Sequence, residues 1–429
     1  MAEFHSETSS TRAAASLSTC AMAESHSENV TPAAASLSNC AIAEFHSENV
    51  TRAGASLLDK YRGCFMGVLL GDCIGGLLER PTGDLSCMRV DDIEAAIESV
   101  PSLQYTDDTS MTLSLAESLL EHRGLEPKSL AIKFVERYRK EVTKQHLYAK
   151  VRSEVFEQWE ETQFLGDIFA PAKRRFHGAG SNGNGGAMRA AAVALFCGDD
   201  VGSLVEIAKT SSQLTHCHPE GYNGAILQAY AVCQALHNSS PLNVEQFLDR
   251  LRELAQTLED GLTEKSFTER LEVVRLLLQQ DDLPPSEVIR KLGHSVRAVD
   301  AMPMALFCAL RSLRPIPSIK RENAVERSII LAVSMGGDTD TIASMAGAIT
   351  GALFGVQRIE PRWIAMCEAS DKLLAVAEEL YAYNHPPGDQ ASDGAGPRSP
   401  FTVQAADRAG PRSPSRPLTQ PDLVHRPGC

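Results

Sequence analysis

Between residues 57 and 384 the chain reads as helix after helix, and that pattern excludes most fold classes at once. Apolar residues recur at helical spacing from Leu58 to Leu78, then in Met111–Leu120, Leu130–Tyr138, Ala190–Phe196, Leu204–Leu214 and Gly224–Leu236. The pattern continues through Val244–Leu258, Phe267–Leu278, Ser286–Leu292, Val296–Leu313, Val325–Val333, Ile342–Phe354 and Trp363–Tyr381. Gly83, Gly124, Pro241, Pro284-Pro285 and Pro315-Ile316-Pro317 punctuate it. Strand-like alternation is nearly absent. The expectation is an all-α fold, a single compact orthogonal multi-helix domain over 57–384, too large for a simple four-helix bundle.

The flanks differ in kind. In residues 1–54, Thr11-Arg12-Ala13-Ala14-Ala15-Ser16-Leu17-Ser18 returns at Thr31 and again, altered, at Thr51. Each unit carries too few large apolar residues for stacked copies to bury a core, so a disordered extension is expected. In residues 387–429, Ala395-Gly396-Pro397-Arg398-Ser399-Pro400 recurs at Ala409, and proline, glycine and serine dominate. This reads as a disordered tail.

A hydrophobic share of 43% and a charged share of 22% suit a soluble protein. A net charge of −14 argues against non-specific nucleic-acid binding and against an anionic membrane, but leaves room for a small anion in a local pocket. The 11 cysteines form no C-x-x-C pair, so neither a disulfide framework nor a structural zinc site is expected. That usage suits a reducing compartment, cytoplasm or nucleus, and recurring acids with few arginines disfavour a mitochondrial presequence. No apolar run is long enough to span a membrane, and the first residues carry Glu3 and Glu7 with no apolar h-region, so no secretory signal is expected. A monomer is the default.

Chemistry concentrates in a few stretches. Gly336-Gly337-Asp338-Thr339-Asp340-Thr341 places two carboxylates and two hydroxyls at the mouth of a small, apolar helix. Tyr105-Thr106-Asp107-Asp108-Thr109 repeats the arrangement ahead of another helix. Thr and Asp cap helices, and acids favour the positive helix end. A cap uses one side chain, however, and each cluster offers several. Two such clusters in one helical domain point to a shared site for a hard cation, Mg²⁺, held by oxygen ligands. Capping by Asp338 or Thr339 remains compatible with that. A third acidic stretch runs Gly71-Asp72-Cys73-Ile74-Gly75-Gly76-Leu77-Leu78-Glu79. Glu79 falls where the apolar pattern stops, either as a solvated helix end or as a ligand or acid/base beside the metal.

Gly178-Ala179-Gly180-Ser181-Asn182-Gly183-Asn184-Gly185-Gly186 leads into a helix. It formally matches a dinucleotide fingerprint, but no buried strand precedes it and no βαβ unit surrounds it. Glycines there let backbone N–H groups converge on an anion. Thr215-His216-Cys217-His218 invites a zinc reading, yet adjacent residues do not face one point. His216 is a hydrogen-bonding histidine by default, or a ligand contact.

Together, Gly71-Asp72 with Glu79, Tyr105–Thr109, Gly183–Arg189, Leu214–His216 and Gly336–Thr341 resemble the ADP-ribosylglycohydrolase family in content and order. Gln213-Leu214-Thr215-His216 followed by Gly221–Ala229 is most similar to its type 3 branch, the ADP-ribosylserine hydrolases. The resemblance implies an all-α fold with two Mg²⁺ ions held by Thr106, Asp107, Asp108, Asp338, Asp340 and Thr341. It implies that Glu79 and Asp338 serve catalysis, with Glu79 also touching the metal. It places Gly180, Ser181, Asn182, Gly183 and Asn184 around the diphosphate and riboses, His216 on a ribose and Phe176 beside the adenine. The implied reaction is Mg-dependent cleavage of the O-glycosidic bond between ADP-ribose and serine of modified proteins, extending to poly(ADP-ribose) and O-acetyl-ADP-ribose. The implied partners are ADP-ribosylated proteins or ADP-ribose-containing small molecules, with no direct nucleic acid and no membrane. The family also holds crystallin-like members, so a non-catalytic ADP-ribose-binding protein is the alternative. The chain departs from the type 3 pattern at Asn182, where the branch has tyrosine, and near His146-Leu147-Tyr148-Ala149, where it has a glycine-rich turn.

Overall fold

The structure is a computed structural model that describes residues 55–79, 86–141, 154–238, 241–281 and 283–386. The readings of residues 1–54, of 387–429 and of the His146–Ala149 departure lie outside the described residues. Within them the chain is helical, with isolated bridges such as Leu103 to Cys367 and Gly183 to Arg297 but no strand. Six helices position the site: α1 (Leu57–Leu77), α2 (Asp107–His122), α3 (Pro219–Leu236), α4 (Ala298–Arg311), α5 (Ala324–Ser334) and α6 (Thr339–Phe354).

Helices α1 and α6 form the centre, and both are buried on nearly every side. A helix apolar all round belongs in the middle of a helical domain. Peripheral helices are one-sided instead: Val244–Leu258 buries Phe247, Leu248, Leu251 and Ala255 and leaves its charged face outside. Ser56 starts α1 by accepting the Asp59 N–H on its hydroxyl at 3.1 Å.

The two central helices run antiparallel and touch backbone to backbone. Gly63, Gly67, Gly71 and Gly75 recur one helical turn apart on the face of α1 that meets α6. A Cβ at Gly67 would fall 1.9 Å from the carbonyl oxygen of Gly347, and one at Gly71 would fall 2.2 Å from that of Ala343. Only glycine permits that approach. At the end of the row, a Cβ at Gly75 would lie 2.5 Å from the Cα of Asp340. The last turn of α1 is thereby pressed onto the first turn of α6, which brings Glu79 to Asp338 and Asp340.

Boundaries differ from expectation in instructive places. The single segment expected over Trp363–Tyr381 is two helices, Pro361–Met366 and Ser370–Asn384, broken where Ala369 takes a left-handed φ of 67°. Helix α3 begins at Pro219, ahead of the expected Gly224, with His218 Nδ1 accepting the Glu220 N–H at 3.2 Å. Val90–Ser99 and Glu154–Glu161 are additional helices. The first is tied down when Arg321 Nε donates to Glu94 Oε1 at 2.9 Å.

Candidate active site at an acidic cleft

Asp72 sits inside α1 with no exposed surface. Its carboxylate accepts the backbone N–H of Thr106 at 3.0 Å and that of Thr109 at 2.9 Å. One helix thus supplies the anion that satisfies the N-terminus of another. Burial raises the Asp72 pKa, and the hydrogen bonds from Thr106 and Thr109 pull against that rise. Thr106 is itself the N-cap of α2, its hydroxyl accepting the Asp108 N–H at 3.4 Å. The capping reading therefore holds for Thr106, while the two aspartates behind it are left for other work.

The second cluster is built differently. Gly337 has φ 75°, and a Cβ there would meet the His294 carbonyl oxygen at 2.1 Å. Asp338 N donates to that same oxygen at 3.0 Å. Asp338 occupies the N-cap position of α6 but makes no side-chain cap bond. Its Oδ2 instead accepts from Asn184 Nδ2 at 2.5 Å. Thr339 Oγ1 donates across to the Gly75 carbonyl at 2.9 Å. The expectation that Asp338 or Thr339 caps α6 is thus corrected, because the tight packing against α1 and the glycine loop claims both side chains. Asp340 Oδ1 accepts the Thr341 N–H at 2.8 Å, and Thr341 Oγ1 donates to Asp108 Oδ2 at 3.3 Å. That last bond joins the two clusters.

Carboxylate oxygens of Glu79, Asp338 and Asp340 lie within 4.8 Å of one another. Burial, then the charges of Asp72, Asp338 and Glu79, push the Asp107 pKa up to about 7. Asp108 is raised by burial and by Asp340, and Asp340 by burial and by Asp338. So many like charges are held together in a poorly solvated cleft only if something neutralises them. Asp108 Oδ1 is buried with no hydrogen-bond partner among the described residues. An orphaned carboxylate oxygen, three converging acids and an all-oxygen donor set fit a hard divalent cation.

The glycine loop lies alongside. Asn184 N donates to the Val296 carbonyl at 2.9 Å, and Ala298 N donates to the Asn182 carbonyl at 3.0 Å. The segment from His294 to Ala298 therefore holds both Asp338 and the loop. Ser181 is buried, and its hydroxyl accepts the Gly183 N–H at 3.3 Å. Gly180 packs against the Cys217–His218 backbone. The Asn182 amide donates to Glu220 Oε2 at 3.0 Å, and Arg297 grips the same carboxylate. The His216 ring rests on Gly183 and Gly185. Burial and the nearby guanidinium groups of Arg189 and Arg175 push its pKa down to about 3, so the imidazole is neutral. Phe176 is 59% exposed on the turn before the loop, with the Arg175 guanidinium 5.1 Å from its ring centre. The three side chains of the His216-Cys217-His218 run engage separate neighbours rather than one point: His216 Nδ1 meets Thr215, Cys217 meets the Gln213 carbonyl and His218 caps α3.

The acids and threonines singled out in the sequence thus converge, with Asn184 joined to them. Asn182 contributes its backbone and a side chain engaged by Glu220. Asp72, His294 and Arg189 support the site without having been assigned a role in it. Asp72 carried a signal, a lone acid in an apolar helix; buried Arg189 carried none beyond its place beside the glycine run.

Residues 53–390 match the family model described as ADP-ribosylglycohydrolase. The chain is 38% identical over 353 residues to ADP-ribosylhydrolase ARH3 of Bos taurus, covering 76% of this chain and 93% of that protein. It is 37% identical over 342 residues to ADP-ribosylhydrolase ARH3 of Homo sapiens, with 76% and 93% covered. A solved structure titled ADP-ribosylglycohydrolase-related protein complex superposes with a TM-score of 0.54 at 22% identity, covering 76% of this chain and 98% of that one, a likeness of fold. On the family match and these identities, the chain belongs to the ADP-ribosylglycohydrolase family, hydrolases of glycosidic bonds.

Proposed function

We propose that this protein is a Mg²⁺-dependent ADP-ribosylhydrolase that releases ADP-ribose from serine residues of modified proteins. The observation that carries the reading is the Asn184–Asp338 bond, which ties the glycine loop to the acidic centre. Diphosphate recognition and the reacting ribose then fall on adjoining structures.

Thr106, Asp107, Asp108, Asp338, Asp340 and Thr341 would hold two Mg²⁺ ions, with Glu79 at their edge. Bound Mg²⁺ supplies charge neutralisation and Lewis-acid polarisation. The loop from Gly180 to Asn184 orients the diphosphate and riboses, and His216 meets a ribose oxygen. Water replaces the serine oxygen at the anomeric carbon. Glu79 relays the proton from that water to the leaving oxygen, so charge stays balanced. Phe176 offers an adenine face, and Asn182 offers hydrogen bonding where an aromatic partner would stack. Poly(ADP-ribose) and O-acetyl-ADP-ribose present the same ribose chemistry and belong to the same proposal. A cytoplasmic and nuclear setting is part of it.

Release of free ADP-ribose from serine-, arginine- and acetyl-linked substrates, with and without EDTA, tests the reading. Chelator-sensitive release from the serine-linked peptide supports it. Binding without release from any substrate would leave the non-catalytic alternative instead.

A further inference from the structure

Arg189 is a buried cation whose side-chain hydrogen bonds, among the described residues, go to uncharged oxygens, and the Asp107 charge favours its protonated form. Its guanidinium donates to the Gly185 carbonyl, to the Ser211 carbonyl at 2.9 Å and to Thr215 Oγ1 at 2.9 Å, and lies 5.2 Å from the centre of the Phe134 ring. Burial draws its pKa down to about 9, which leaves it charged at neutral pH. Thr215, also buried, stands 2.7 Å from His216 Nδ1 through the same oxygen that Arg189 contacts.

The direction of each bond follows from what the groups can do. Guanidinium N–H groups only donate, so Thr215 Oγ1 accepts from Arg189. The hydroxyl has one proton left to place. Its candidates are His216 Nδ1 at 2.7 Å and the Ser212 carbonyl at 3.4 Å, which is long for a hydroxyl donor. Donation to Nδ1 uses the hydroxyl fully. The reverse arrangement would aim two donors at one oxygen and leave its own proton on the weak contact. With Nδ1 accepting and the ring neutral, the one ring proton sits on Nε2. Nε2 faces the turn of Gly183 and Gly185, lying 2.9 Å from where a Gly185 Cβ would be, and has no protein partner among the described residues.

We propose that Arg189, acting through Thr215, fixes His216 as the Nε2–H tautomer, making it a permanent donor toward an oxygen of the ligand held by the glycine loop. Arg189 and Thr215 are positioning residues, and the ligand atom selected is an acceptor, a hydroxyl or phosphate oxygen. The identity of that acceptor rests on the ADP-ribose reading of the cleft. The tautomer itself does not, because it is measured without substrate.

Nitrogen NMR of the full chain with ¹⁵N-labelled histidine tests this, with His216 assigned from the His216→Ala spectrum. The expected result is an unprotonated Nδ1 and a protonated Nε2 that persist through the range where an ordinary imidazole titrates. A protonated Nδ1 in the wild-type protein overturns the proposal, whatever the variants do. Thr215→Val is expected to mix the tautomers and raise KM for an ADP-ribosylated peptide about tenfold with kcat little changed, while Thr215→Ser restores the wild-type spectrum. An unchanged His216 spectrum in Thr215→Val overturns it equally. Loss of activity together with the expected tautomer in the wild type would count against the proposed substrate, not against the relay.

Discussion

Asn184 and Asp338, far apart in sequence, share a hydrogen bond of 2.5 Å. It engages Oδ2 of Asp338 and sets the loop's distance from the acidic centre. Removing such an outer partner of a metal ligand costs about 10–100-fold in affinity. Asn184→Ala is therefore expected to weaken Mg²⁺ binding by that factor while leaving the melting temperature of the metal-free protein nearly unchanged. Calorimetric titration with Mg²⁺ reads the first quantity, and undiminished affinity would mean that the bond does not orient Asp338.

The glycine row on α1 makes a prediction with an internal control. At Gly67 a Cβ would overlap the Gly347 carbonyl, whereas at Gly124 a Cβ meets nothing within 4 Å. Gly67→Ala must force the central helices apart, at a cost of about 1–3 kcal/mol or more. Gly124→Ala should be near neutral. Urea unfolding of the two variants separates them. Equal stability would show that the backbone contact between α1 and α6 is not what holds the core.

Acid burial gives the metal-free protein an unusual pH response. The Asp107 pKa stands at about 7 against an ordinary 3.8, and those of Asp108 and Asp340 are raised as well. Folding therefore favours the protonated acids. That contribution is complete below about pH 4 and is lost as pH rises through about 7. In EDTA the melting temperature should fall across that interval, and Asp107→Asn should flatten the fall. Added Mg²⁺ should reverse it, more strongly at the higher pH because ligands must be deprotonated. A melting temperature in EDTA that does not fall over the interval contradicts the burial of these charges.

The helical architecture and the acidic clusters were legible in the sequence for one reason: both rest on local pattern. Helical spacing marks each segment, and Thr-Asp-Asp or Asp-Thr-Asp before an apolar run is uncommon enough to notice. What was missed depends on pairing across the chain. Gly63, Gly67, Gly71 and Gly75 were visible at regular spacing, but only the arrival of Gly347 and Gly351 gives the row a purpose. Asp72 stands out in the sequence as an acid in an apolar helix, yet its role as the anion at the start of α2 needs Thr106 and Thr109 beside it. Local pattern makes Asp338 a candidate helix cap, and the Asn184 contact that displaces this role is not local. The break at Ala369 is invisible in the sequence because a left-handed alanine leaves no mark in the apolar spacing.

The central claim is that the acidic cleft, loaded with Mg²⁺, hydrolyses the bond between ADP-ribose and serine. The most direct measurement is the rate of free ADP-ribose release from an ADP-ribosylserine peptide by the wild-type chain and by Asp338→Ala. The account predicts release by the wild type that stops in EDTA and returns with Mg²⁺, and a rate at least roughly 10²–10³-fold lower in the variant. Wild-type turnover by Asp338→Ala, or turnover indifferent to chelation, would contradict it.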